Sequence, residues 1–155
     1  MSTAYSVVPA TMAHTRDLAP RVRQADVDEV WAFAGITTLE ALEVSVRSSP
    51  EPWAGLVNGR VEVMFGVGVS SLASAVGIPW FLGSDEVFIH GVKYLRVSRR
   101  YIDRVRQDYL LLENYVDERN LDAVKWVKWL GFRLEPAVSA GTRGGRFHRI
   151  SMEKG

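Results

Sequence analysis

The stretch from Asn120 to Phe132 constrains the fold of this chain more than any other. Asn120 is placed to cap a helix through its side-chain oxygen, and Ala123, Val124, Val127 and Leu130 recur at helical spacing behind it. Gly131 supplies a left-handed residue to end the helix, and Phe132 returns the chain to the core. An apolar run, Leu110 to Val116, precedes the cap and reads as a strand. The order is therefore strand, capped helix, strand.

Upstream, Tyr5 to Pro9 reads as a strand and Thr11 as the cap of a helix that ends near Pro20. Asp26 to Phe33 and Thr38 to Val46 carry further helical patterns. After Ser48 to Pro52 breaks the pattern, Trp53 to Val57 and Val61 to Val69 form strands joined at Asn58-Gly59, a pair suited to the positive φ angles of a type I′ turn. Val76 to Leu82 gives a third strand, with Pro79 marking an edge or bulge. Ser84 is read as the cap of a short helix and Ser98 as the cap of a second. The last hairpin turns at Gly141 to Gly145.

A chain of 155 residues, 47% hydrophobic and 24% charged, fits one domain over residues 1–155. With no cysteine, disulfides, thiolate nucleophiles and cysteine-held metals are excluded. His14, His90 and His148 lie far apart, so no metal site is expected. No apolar run reaches the ~20 residues of a membrane span, and Met1 to Ala10 lacks the basic start and apolar body of a signal peptide. No membrane partner is expected.

The strand followed by Asn120, Ala123, Trp126 and Gly131-Phe132 resembles the closing half of the GNAT acyltransferase fold. In order, though not in identity, the resemblance covers most of the chain. It implies an α+β fold with a central, mostly antiparallel sheet flanked by helices. Two departures from the family pattern bear on activity. Enzymes of the family place a glycine-containing loop at the start of the middle helix, where backbone N–H groups cradle the coenzyme A pyrophosphate. The region aligned with it, Tyr94 to Val105, holds no glycine, and Gly91 lies upstream. Many family enzymes also carry a tyrosine seven residues after the Asn to protonate the leaving thiolate, and this chain has Val127 there.

A GNAT-like chain without that loop resembles the internal virion protein A type of short-tailed bacteriophages. The shared tokens are Pro79-Trp80-Phe81, Ser84-Asp85-x-Val87, a basic helix and Asn114-Tyr115-Val116. This resemblance implies a non-enzymatic virion structural or assembly protein, made in the host bacterial cytoplasm and located in the virion. Its partners would be portal, core or tail proteins, with copies arranged in a symmetric ring. No cofactor and no catalytic residue are implied. The competing expectation is an acetyl-CoA-dependent N-acetyltransferase that binds its cofactor through an arginine-lined loop, Arg96, Arg99 and Arg100, in place of glycines, with Asn120 at the family's ligand-contacting Asn position.

Trp126, Trp129, Arg143 and Arg146 are the candidate interaction residues, because aromatic area flanked by basic side chains suits assembly surfaces. Contact between DNA and the arginine-rich segment is not favoured, since Asp103 is spaced to pair with Arg99 and Arg106. Among the acids, Glu62 alternates outward in its strand pattern, and Asp85 and Glu86 sit where a helix start favours acids.

Overall fold

The computed structural model describes residues 3–71 and 73–155. Their order is β1 (Tyr5–Pro9), α1 (Met12–Leu18), α2 (Gln24–Ala34), α3 (Thr38–Ser48), β2 (Trp53–Val57), β3 (Arg60–Gly68) and β4 (Val76–Gly83). There follow α4 (Glu86–Ile89), α5 (Gly91–Val105), β5 (Leu111–Asp117), α6 (Leu121–Trp129), β6 (Arg133–Leu134), β7 (Val138–Ala140) and β8 (Gly145–Glu153). A short 3-10 turn, Ala19–Arg21, carries Pro20 between α1 and α2. Among the described residues no helix is long and apolar enough to cross a membrane.

The strands form one sheet in the order β1-β2-β3-β4-β5-β8-β6, with β7 also on β8. Every pairing is antiparallel except β4 with β5. Local chemistry explains the turns. Asn58 and Gly59 have φ of 50° and 81°, as the β2–β3 hairpin requires. Thr11 and Thr37 each accept from the backbone three residues on, and His14 and Glu40 reach back to complete capping boxes.

Helices cover both faces. Leu18, Leu42, Ala54, Met64 and Leu82 pack under α1 to α3, while Val63, Ile102, Leu112, Val116, Trp126 and Phe132 pack under α5 and α6. Alternate residues of each central strand feed opposite layers, which is why these strands read as nearly continuous apolar runs.

Three sequence expectations are corrected. Ser98 lies inside α5, which starts at Gly91, so the connection that follows β4 is Ser84 to His90 and the middle helix does begin on a glycine. Glu62 is 2% exposed rather than outward-facing, because a shift of register at Gly55/Leu56 turns it inward. Asp103 is not what holds the arginines: Arg99 donates to the Trp129 carbonyl at 2.9 Å and Arg106 to the Glu153 carbonyl at 2.9 Å.

Candidate active site

The sheet divides at its centre. β4 and β5 pair only at Val76↔Leu111 and Gly77↔Leu112, after which the two parallel strands diverge. Pro79 has no N–H, so its pair with Val67 of β3 is one whose polar groups point away from β3, and by strand parity those of Phe81 and Gly83 do the same. Observed bonds agree with that parity. Asn114 Nδ2 donates to the Pro79 carbonyl at 2.7 Å across the split, and the Arg23 amide donates to the Gly83 carbonyl at 2.9 Å. Between them the backbone of Phe81 faces the split with no strand of its own to pair.

Behind this opening lies a cavity of about 300 Å³ that reaches both faces of the sheet. Phe65, Phe81, Tyr101, Trp126 and Val127 line it on the α5 and α6 side, and Val30, Phe33, Ala41, Trp80 and Tyr115 on the α2 and α3 side. Phe33 stacks on Tyr115 with ring centroids 5.6 Å apart, closing one wall. Trp126 packs between Phe81 at 5.3 Å and Phe88 at 5.2 Å, and with Phe88 it also borders an outer groove beside the start of α5. That groove is lined by Tyr5, His90, Gly91, Lys93, Lys125 and Trp129 among others.

One stripe of α2 brings acids to the cavity: Asp26, Glu29, Val30 and Phe33 recur at helical spacing and all line it. Asp26 Oδ1 accepts from Arg23 at 3.0 Å and from Asn120 Nδ2 at 2.9 Å. Asp26 Oδ2 is buried without a partner. Burial raises the Asp26 carboxyl above its ordinary value despite Arg23, Asn120 and the Gly83 amide. Glu29 keeps some accessible surface in the cavity, and its Oε1 accepts from the Asp117 amide at 2.7 Å. Burial first, then the charges of Asp26 and Asp117, push it up to about 8, against the lowering effect of the Asp117 amide. A carboxyl poised there can accept or donate a proton near neutrality.

Sequence reasoning did not single out Asp26 or Glu29. The available signal was an acid three residues after another on a helix with apolar neighbours at Val30 and Phe33, a pattern equally typical of a solvated face. Glu62, by contrast, is engaged structurally. It accepts from Ser84, from Arg60 at 2.6 Å and from Arg21 at 3.2 Å. Burial alone would raise its carboxyl, but these donors outweigh it and hold the group below the ordinary range.

The remaining sequence candidates scatter. Asn120, 2% exposed, caps α6 through its bond from the Ala123 amide at 3.4 Å and also serves the Asp26 network. Arg96, Arg99 and Arg100 are exposed along α5, past its first turn, and Arg99 is occupied with the Trp129 carbonyl and ring. Trp126 is 7% exposed and forms a cavity wall, so it is not a surface residue for assembly. Trp129 is 43% exposed beneath Arg99. Arg143 lies over the Trp31 ring at 4.8 Å, and Arg146 donates to the Ala137 carbonyl at 2.8 Å.

A coenzyme A thioester, which the fold implies, meets a mixed fit. The free Phe81 backbone and the narrow apolar cavity suit an extended, amide-bearing arm. The connection after β4 suits phosphates less well. Four of its amides are bonded internally, Glu86 to Ser84 Oγ, Val87 to the Ser84 carbonyl, Phe88 to that of Asp85 and His90 to that of Glu86. Asp85 and Glu86 add negative charge there. Cations for a phosphate come from side chains bordering the outer groove, Lys93 and Lys125.

No protein-family model matches the chain, and no curated protein matches it by sequence. Solved structures do. A GCN5-related N-acetyltransferase from Kribbella flavida is 21% identical with a TM-score of 0.70, covering 97% of this chain and 98% of that one. A GNAT-family acetyltransferase from Streptococcus pneumoniae is 13% identical with a TM-score of 0.70, covering 98% and 100%. A putative acetyltransferase from Salmonella typhimurium, solved with its cofactor acetyl-CoA, is 13% identical with a TM-score of 0.67, covering 98% and 95%. These neighbours overturn the expectation of a non-enzymatic virion protein: they are mostly acetyltransferases, and nothing found supports the phage family. The split parallel pair, the flanking helices and the extent of these matches establish a GNAT-like acetyltransferase fold for the chain.

Proposed function

We propose that the protein is an acyl-CoA-dependent N-acyltransferase, with acetyl-CoA as the simplest donor. The observation that carries this reading is the divergence of β4 from β5 beyond Gly77, which leaves the Phe81 backbone facing a cavity open to both sides of the sheet. A donor can enter from the groove at α5 while an acceptor occupies the α2 side. Bound there, the thioester would supply an activated acyl group.

The chain's own groups do the rest. Phe81 would hold the arm through its free N–H and C=O, as an added strand would be held. Phe88 and Trp126 border the groove and the cavity alike, and so guide the arm inward. Glu29 is the group placed to take a proton from an amine. Val127 leaves the customary acid position empty, and Tyr101, which lines the same cavity, is the hydroxyl nearest in role. Burial raises the Tyr101 phenol well above its usual value, so it can donate a hydrogen bond but parts with its proton reluctantly.

Calorimetric titration with acetyl-CoA tests the reading directly. Saturable heat followed by thiol release in the presence of an amine is the expected result. No heat at millimolar donor would refute it.

A further inference from the structure

The α2 end of the cavity is chemically lopsided. Asp26 is 3% exposed and lines the cavity; Oδ1 is served twice, while buried Oδ2 has no close side-chain partner and only the Gly83 amide faces the carboxyl from the backbone. A buried, unpaired carboxylate oxygen is costly unless something else satisfies it. Glu29 stands one turn further along the same stripe. The cation at hand, Arg23, is divided among Asp26 at 3.0 Å, Asp122 at 3.4 Å and the Phe88 ring at 4.3 Å. Asp117, the other acid nearby, is already paired with Arg119 at 2.6 Å. Two carboxyls, Asp26 and Glu29, therefore meet the cavity beside a single guanidinium, Arg23, which also lines it but is shared with Asp122, and beyond them the walls are apolar: Val30, Phe33, Trp80 and Tyr115.

Resting on the transferase reading, we infer that the acceptor is a small primary amine on an aromatic or branched apolar body, its ammonium seated against Glu29 with the Asp26 carboxyl behind it. The cavity, about 300 Å³, is at the lower limit for ligand pockets and is shared with the end of the donor arm. A polyamino sugar exceeds that space, and an extended polyamine would bury further charges against Phe33 and Trp80.

The transfer balances on these residues. Glu29 takes one ammonium proton, and the freed nitrogen lone pair forms the C–N bond as the C–S bond breaks. The electron pair of that bond goes to sulfur, which receives the second nitrogen proton. Glu29 then returns its proton to solvent.

The test measures binding of 2-phenylethylamine, 2-phenylethanol and spermidine to the unaltered protein, without donor, in mildly alkaline buffer. The amine should bind roughly tenfold or more tightly than the alcohol, which has the same body and no charge, and more tightly than spermidine. Equal affinity for amine and alcohol, or preference for spermidine, overturns the inference. Glu29→Gln should weaken the amine roughly tenfold and leave the alcohol unchanged, and loss of affinity for both would also count against it. If the amine binds as stated while acetyl-CoA gives no heat, the transferase reading fails and the amine site stands. If acetyl-CoA binds and the amine does not, the failure lies in the acceptor alone.

Discussion

Glu29 holds a proton in the folded protein that it would release in the unfolded chain, since its carboxyl moves from an ordinary 4.5 to about 8. The folded state thus binds more protons than the unfolded state through that interval, and stability falls as pH rises across it. The groups that face Glu29 are Asp26 on its own helix, Asp117 and Arg119 from β5 and the turn after it, and Asn120 at the start of α6. Glu29→Gln keeps an acceptor for the Asp117 amide and cannot ionise. Its melting temperature should match the unaltered protein near about pH 4.5 and exceed it increasingly toward about pH 8, while N-acylation falls by about 10²–10⁴-fold. Parallel thermal melts across that range check the first part, and a flat difference would refute the titration. Asn120 offers a second test at this scale. Capping preference alone makes Asn and Asp equivalent. Because Asn120 Nδ2 also donates to Asp26, Asn120→Asp removes a donor and sets two buried carboxyls together, so it should cost about 2–4 kcal/mol in a denaturant titration.

At the scale of elements, the split depends on where the last rung of β4–β5 pairing falls. Gly77 occupies that rung, and a Cβ there would lie 2.5 Å from Val67 Cγ1 and 2.9 Å from Leu112 Cδ2. Gly77→Ala should therefore push the strands apart too early and destabilise the protein by about 1–3 kcal/mol, read from the shift of its unfolding midpoint. Much of the scaffold around this rung is legible in the sequence because its signals are local: the Asn58-Gly59 turn, the Thr11 cap, the Asn120 cap with Gly131 at φ 99°. The start of α5 is not legible in the same way. His90 and Gly91 carry no capping side chain, so Ser98, a better cap by type, places the cap eight residues too late. The split itself and the acid stripe on α2 are long-range facts. Val76 to Gly83 gives no sign of which strand will flank it, and Asp26 meets Asn120 only after the whole sheet has formed.

For the whole molecule, the layout divides donor recognition unequally between an apolar cavity and a weakly cationic groove. Four amides of the connection after β4, those of Glu86, Val87, Phe88 and His90, are bonded within it, and Asp85 and Glu86 repel phosphate, whereas the Phe81 backbone and the cavity are free. Acetyl-CoA should accordingly bind through its arm, with its nucleotide adding little. Saturating acetyl-CoA at 100 times its dissociation constant would stabilise the fold by about 2.7 kcal/mol and raise the melting temperature by about 5–11 °C for a domain of this size. Acetyl-pantetheine should come within about tenfold of acetyl-CoA, because removing the nucleotide loses chiefly the contacts of Lys93 and Lys125 at the exposed groove. Lys93→Ala combined with Lys125→Ala should erase most of the remaining difference without changing the affinity of the acetyl-pantetheine arm. A loss of about a hundredfold or more with acetyl-pantetheine would instead place the main binding energy on the phosphates, and would require α4 to unwind and release its amides when the donor binds.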